Sequence, residues 1–219
     1  MREETLRVPA GEVWLDGDVV LPDRPRGLVV FAHGSGSSRQ SPRNREVATA
    51  LHEQGLATLL FDLLTPEEET EDRRTARLRF DIGLLAYRIG DVVVWMRSQS
   101  WGEGCSLDGP VGLFGASTGA GAALVTAAHR PDDVAAVVSR GGRPDLAATN
   151  LEHVHSPTLF IVGGRDVEVL SFNESAAAQL RVEHEIALVP RAGHLFAEPG
   201  TLQTVSWLAV RWFLRHLES

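Results

Sequence analysis

Val111-Gly-Leu-Phe-Gly115-Ala116-Ser117-Thr118-Gly119 is the stretch on which the reading of this chain turns. An apolar run enters it, and a small-residue helical run, Ala120 to Ala128, leaves it. The spacing G-x-S-x-G at a strand-to-helix junction suits a tight turn. On such a turn a serine hydroxyl stands clear of the backbone, where it can attack a carbonyl. The pentapeptide alone is a weak signal, so its surroundings carry the argument.

Further continuous apolar runs occur at Leu28–Ala32, Ala57–Phe61, Val134–Val138, Thr158–Val162 and Ile186–Val189. Strands apolar at consecutive positions are covered on both faces, as in a parallel sheet flanked by helices. Helical patterns alternate with them: Glu46 to Gln54, Ile82 to Met96, Ser117 to Ala128, Ser175 to Leu180 and Leu202 to Leu217. Ahead of these, short antiparallel strands are predicted at Thr5–Val8, Val13–Leu15 and Val19–Leu21, the last two around an Asp16-Gly17 turn. The expectation is one α/β domain over 1–219, with a mostly parallel, doubly wound sheet and helices on both faces. Trp207, Trp212 and Phe213 are expected to pack onto that sheet.

In such sheets ligands sit at the carboxyl ends of the strands, and three of these ends carry complementary groups. Ser117 needs a base to remove its proton. His194, in Arg191-Ala-Gly-His194, follows the strand ending at Val189. Asp166, in Gly163-Gly-Arg-Asp166, follows the strand ending at Val162 and suits a carboxylate that orients an imidazole. The alternative reading of Asp166 is a cap of the next helix, and Glu168 and Asp145 are its rival carboxylates. A fourth element is the loop His33-Gly34-Ser35-Gly36-Ser37-Ser38. An oxyanion needs two amides aimed at it; the candidates are those of Thr118 and Ser35. His33 reads as a buttress of that loop.

Taken together, these residues resemble the α/β-hydrolases, specifically the compact dienelactone-hydrolase-like branch. The likeness runs from His33-Gly34 through Gly-Ala-Ser117-Thr-Gly and Gly-Gly-Arg-Asp166 to Ala-Gly-His194, in the Ser, Asp, His order of that superfamily. Dienelactone hydrolases proper use a cysteine nucleophile; serine here favours a general serine esterase. The resemblance implies an acyl-enzyme route with no cofactor or metal. Related acyl hydrolysis of thioesters, lactones or peptides is the nearest alternative. A retired fold kept as a binding module is a more distant one.

Several arginines adjoin the predicted site. Arg140 and Arg143 follow the Val134 strand and suit a substrate carboxylate or a salt bridge within their loop. Gly34 is a further candidate substrate contact. Arg39, Arg43 and Arg45 read chiefly as partners of surface acids. The acidic run Glu67 to Asp72 reads as a solvated loop and helix start. His153 and His155 lack the companions of a metal site. About twenty residues separate Val138 from Thr158, too few for a lid domain, so an open site without interfacial activation is predicted.

The 219 residues are 43% apolar and 23% charged, with a net charge of −8. That charge argues against nucleic acid and anionic membranes as partners; a small-molecule ester as substrate is what the resemblance implies. The single cysteine, Cys105, excludes an internal disulfide. With no signal-like N-terminal core in Met1-Arg-Glu-Glu-Thr-Leu, a soluble cytoplasmic protein is expected. Oligomeric state is left open.

Overall fold

Strands β1 (Arg2–Ala10), β2 (Val13–Leu21), β3 (Leu28–Ala32), β4 (Ala57–Phe61), β5 (Val111–Ala116), β6 (Val134–Arg140), β7 (Thr158–Gly163) and β8 (His184–Val189) form one sheet. Their order is β1-β2-β4-β3-β5-β6-β7-β8. Strand β2 runs antiparallel to both neighbours, and every pair from β4 to β8 is parallel. The computed structural model describes residues 1–102 and 105–217. Among these, no helix is long and apolar enough to cross a membrane.

The continuous apolar runs bury alternate residues on opposite faces. In β3, Leu28, Val30 and Ala32 join the core beneath α3 (Ile82–Ser98), α4 (Thr118–His129) and α5 (Val167–Ala177). Val29 and Phe31 join the core beneath α1 (Pro42–Glu53) and α6 (Thr201–Leu217). Strand order reverses between β3 and β5, which makes their carboxyl ends a topological switch point. The His33 loop leaves one of these ends and the Ser117 turn leaves the other. Among the described residues no cap domain is inserted. The β6–β7 connection carries only short 3-10 turns within Pro144–His153, broken at Ala148.

Three local expectations are corrected. The N-terminal hairpin is two nine-residue strands turning at Gly11, whose φ is +63°. Asp16 and Gly17 lie inside β2, where Gly17 pairs with both Leu6 and Phe61. A Cβ there would stand 3.2 Å from Leu59, so this glycine serves close packing rather than a turn. Trp207 is 55% exposed, with Arg211 stacked 4.5 Å over its ring, while Trp212 and Phe213 are buried. Helical spacing puts Trp207 opposite the face formed by Val205, Ala209 and Phe213. The acidic run belongs to a full helix, α2 (Pro66–Thr75), closed by a Thr65–Glu68 capping box. Glu68 makes a two-pronged ion pair with Arg88, and buried Asp72 binds Arg79. These acids therefore tie α2 to the body of the fold.

Candidate active site

Helices α1, α2 and α3 are capped by the side chains of Ser41, Thr65 and Asp81. Helices α4 and α5 begin after Ser117 and Asp166, and neither side chain makes a capping bond. Both residue types favour capping, yet both side chains are turned to His194. The imidazole Nδ1 lies 2.7 Å from Asp166 Oδ2, and Nε2 lies 3.3 Å from Ser117 Oγ. The rival carboxylates stand elsewhere: Asp145 is bound to Arg143, and Glu168 lies in the exposed first turn of α5.

Ser117 has φ +51° and ψ −121°, a backbone conformation disfavoured for a side-chain-bearing residue. Close packing enforces it. A Cβ on Gly115 would fall 2.4 Å from Ala120 Cα, and one on Gly119 would fall 2.3 Å from the Ala32 carbonyl oxygen. Both glycines therefore let β5, α4 and β3 approach one another. The Ser117 amide donates to the Arg140 carbonyl (3.2 Å), and the Ser117 carbonyl accepts from the Arg143 amide (3.0 Å). On the other side of the imidazole, Gly193 N–H donates to Glu198 at 3.0 Å and steadies the histidine loop. No sequence motif marks Glu198; its proximity to Gly193 is a loop contact. Gly141, with φ +50°, passes close to His194, where a Cβ would meet its carbonyl at 3.1 Å.

His33 is buried. Its Nδ1 donates to the Gly34 carbonyl (2.9 Å) and its Nε2 accepts the Leu63 amide (3.1 Å). One donor and one acceptor are the complement of a neutral imidazole. Burial holds its pKa below the ordinary histidine value, against the opposing pull of the Gly34 carbonyl. The loop it supports lies against the serine: a Cβ on Gly34 would be 3.1 Å from Ser117 Cβ.

Thr118 opens α4, where a first-turn amide has no partner within the helix. The Ser35 amide differs from its expected role as a free donor. It donates to the Thr118 hydroxyl at 2.8 Å, because the loop and the first turn of α4 are in direct contact. Arg143 is likewise occupied. Its guanidinium grips Asp145 at 2.8 and 2.7 Å and lies 4.8 Å over the Phe172 ring. Arg140 instead lines a cavity of about 280 Å³ together with Gly34, Arg43, Ser117 and His194. A second cavity, about 210 Å³, lies on the far side of the Gly34–Ser35 segment between His33, Leu64 and α2. Among the described residues no cluster of histidine, cysteine and acidic side chains is suited to hold a metal ion.

An imidazole set between a hydroxyl and a carboxylate can accept the hydroxyl proton and hold the resulting positive charge. A family model described as an alpha/beta hydrolase domain matches residues 25–205. Two curated proteins of Mycobacterium tuberculosis, strains CDC 1551 / Oshkosh and ATCC 25618 / H37Rv, each carry the name "Putative phosphoribosyl transferase". Each is 56% identical to this chain over 217 residues, 99% of this chain and 47% of its own length. The chain thus spans about half the length of these curated relatives. Among solved structures, a dienelactone hydrolase from Anabaena variabilis ATCC 29413 superposes with a TM-score of 0.93. It is 55% identical over 98% of both chains. Est1E from Butyrivibrio proteoclasticus shares the fold at 14% identity, with a TM-score of 0.77 over 96% of this chain and 98% of its own.

Proposed function

Since the chain belongs to the alpha/beta hydrolase domain family, we propose that it is a serine hydrolase that cleaves carboxylic esters through an acyl-enzyme. The observation that carries this reading is the continuous line from Ser117 Oγ through His194 to Asp166, at 3.3 and 2.7 Å. His194 Nε2 takes the Ser117 proton as Oγ attacks the acyl carbon, and returns that proton to the leaving alkoxide. Asp166 holds the imidazole with Nδ1 protonated and balances its charge. Water then enters, gives a proton to His194 and attacks the acyl carbon. Ser117 leaves with that proton, and a carboxylic acid departs.

The tetrahedral oxygen is received by the Thr118 amide and the Ser35 amide. The latter is freed by rotation of the Thr118 side chain, whose hydroxyl now accepts it. No cofactor or metal enters the scheme. The substrate is a small ester reaching a site without a cap domain; neither nucleic acid nor a membrane is called for. The single cysteine suits a reducing, cytoplasmic setting. The transferase name belongs to relatives about twice as long. Thioesters and lactones suit the same machinery and belong in the same assay panel.

The test is turnover of short-chain p-nitrophenyl esters together with covalent labelling by a fluorophosphonate. Turnover and labelling that both disappear in Ser117→Ala support the reading. A pure, folded protein that neither turns over any ester nor takes the label overturns it.

A further inference from the structure

Five arginines follow the His33 loop and strand β6 in the sequence, Arg39, Arg43, Arg45, Arg140 and Arg143, and acids account for three of them. Arg39 pairs with Asp62, Arg45 with Asp18 at 2.8 Å, and Arg143 with Asp145 at 2.7 Å. Among the described residues, Arg43 and Arg140 have no ion pair. These two are the arginines that line the 280 Å³ cavity with Ser117 and His194.

Arg140 is only 7% exposed. Its Nε and Nη1 are buried without a hydrogen-bond partner, and so is Arg43 Nε. Its nearest compensation is the Phe196 ring, with Cζ 5.8 Å from the centroid. Burial, followed by the like charge of Arg43, pulls the Arg140 pKa down to about 10, which still leaves it cationic at neutral pH. Buried charges in folded proteins are ordinarily paired and hydrogen-bonded. Here the buried cation of Arg140 and the half-buried cation of Arg43 share one wall, and among the described residues no acid pairs with either. The backbone fixes the place of Arg140. Arg140 is opposite Ala116 across β5 and β6, and its carbonyl holds the Ser117 amide.

We propose that Arg140 and Arg43 form an anion subsite, and that the ester cleaved by Ser117 carries an oxyacid group, a carboxylate or a phosphate, near its scissile carbonyl. This rests on the reading of Ser117 as the nucleophile. Guanidinium forks match the paired oxygens of both oxyacids. The cavity is below the range of about 300–1,000 Å³ usual for drug-sized ligands, so carbonyl and anion belong to one short acyl or alkoxy group. An entering oxyacid supplies the missing acceptors and separates the two like charges. The reaction remains hydrolysis: the acyl C–O bond breaks, water adds hydroxyl to the acyl group, and its proton ends on the alcohol.

Three methyl esters of similar size test this: monomethyl succinate, methyl 3-phosphonopropanoate and neutral methyl 4-methylpentanoate. Their kcat/KM values are measured by acid release for the natural protein, Arg140→Met and Arg43→Gln. The expected result is a preference of at least about tenfold for an anionic ester over the neutral one, the scale of a charge-assisted hydrogen bond. The preference collapses in both variants, and the better anion identifies carboxylate or phosphate as the natural group. A ratio at or below one, or a ratio unmoved by either variant, overturns the subsite while leaving the hydrolase reading intact.

Calorimetry with succinate and inorganic phosphate reads the subsite without turnover. Binding lost in both variants supports it even where no ester is hydrolysed; absence of binding overturns it. The thermal midpoint separates function from architecture. Removing an uncompensated cation raises or preserves the midpoint of Arg140→Met. A lowered midpoint with an unchanged ester preference assigns Arg140 to the fold and overturns the proposal. Should Arg140→Met not fold, Arg43→Gln carries the same comparison.

Discussion

His194 Nε2 stands 3.3 Å from Ser117 Oγ, with the opposite ring nitrogen 2.7 Å from Asp166. The contact joins two loops 77 residues apart, and each end is immobilised by its own glycine-dependent packing. Replacing Ser117 with alanine is expected to lower ester turnover by about 10⁴-fold or more and abolish fluorophosphonate labelling. Asp166→Asn keeps the shape but favours the wrong imidazole tautomer, and is expected to lose about 10⁴-fold in kcat. Steady-state kinetics on the purified variants, with circular dichroism to confirm folding, decides both.

Gly119→Ala is expected to be costly for stability. The added carbon would fall 2.3 Å from the Ala32 carbonyl oxygen and 2.5 Å from that of His33. Neither is the movable end of a side chain. Overpacking typically costs about 1–3 kcal/mol, and rigid backbone contacts place this variant at or above the upper figure. A urea titration should show a clearly lower midpoint; an unchanged midpoint removes the packing account of this glycine.

The strands and the Ser, Asp and His positions were readable because they depend on local order and on spacing at strand ends. The runs at Leu28–Ala32 and Ala57–Phe61 coincide with β3 and β4 residue for residue. Helix starts were harder to read. Helix α1 begins at Pro42 behind the Ser41 cap, a signal present in the sequence but outweighed by its polar first turn. Helix α5 begins eight residues before the predicted Ser175. Its inner face includes buried Asn173, bonded to the Gly142 and Val169 carbonyls, which interrupts the apolar period. The partners of the arginines were not readable at all. Which acids meet Arg39, Arg45 and Arg143, and which arginines meet none, depends on tertiary approach.

Arg88 is a second point of vulnerability. It is 4% exposed and donates to the Leu63 carbonyl and to both oxygens of Glu68. Arg88→Met leaves the Leu63 carbonyl unanswered and Glu68 with only the Thr65 amide as a donor. Breaking a buried pair commonly costs about 3–5 kcal/mol, and the partial exposure of Glu68 reduces this to about 2–3 kcal/mol. Chemical denaturation measures it. The double variant with Glu68→Met should recover part of the loss, because no lone carboxylate then remains.

Histidine burial predicts a pH effect. His33 has a folded pKa below the ordinary value because it is buried; His52 and His216 are lowered chiefly by the same cause. The unfolded chain therefore binds protons first as the pH falls through about 6.5. The contribution of these groups to stability is complete above that pH and is lost as the pH falls through their lower folded values. Urea midpoints measured across this window should decline with falling pH. The decline should be shallower in His33→Gln; equal slopes would remove His33 from the account.

The hydrogen bond from the Ser117 amide to the Arg140 carbonyl has a kinetic corollary. It fastens the attacking residue to the neighbouring strand at the middle of an eight-stranded sheet, where no small fluctuation exposes it. Its amide hydrogen should exchange with solvent deuterium at the rate of global opening, among the slowest in the chain. The nucleophile and the wall facing it would then fluctuate as one body, so substrate meets both in fixed register and only the Thr118 side chain has to turn.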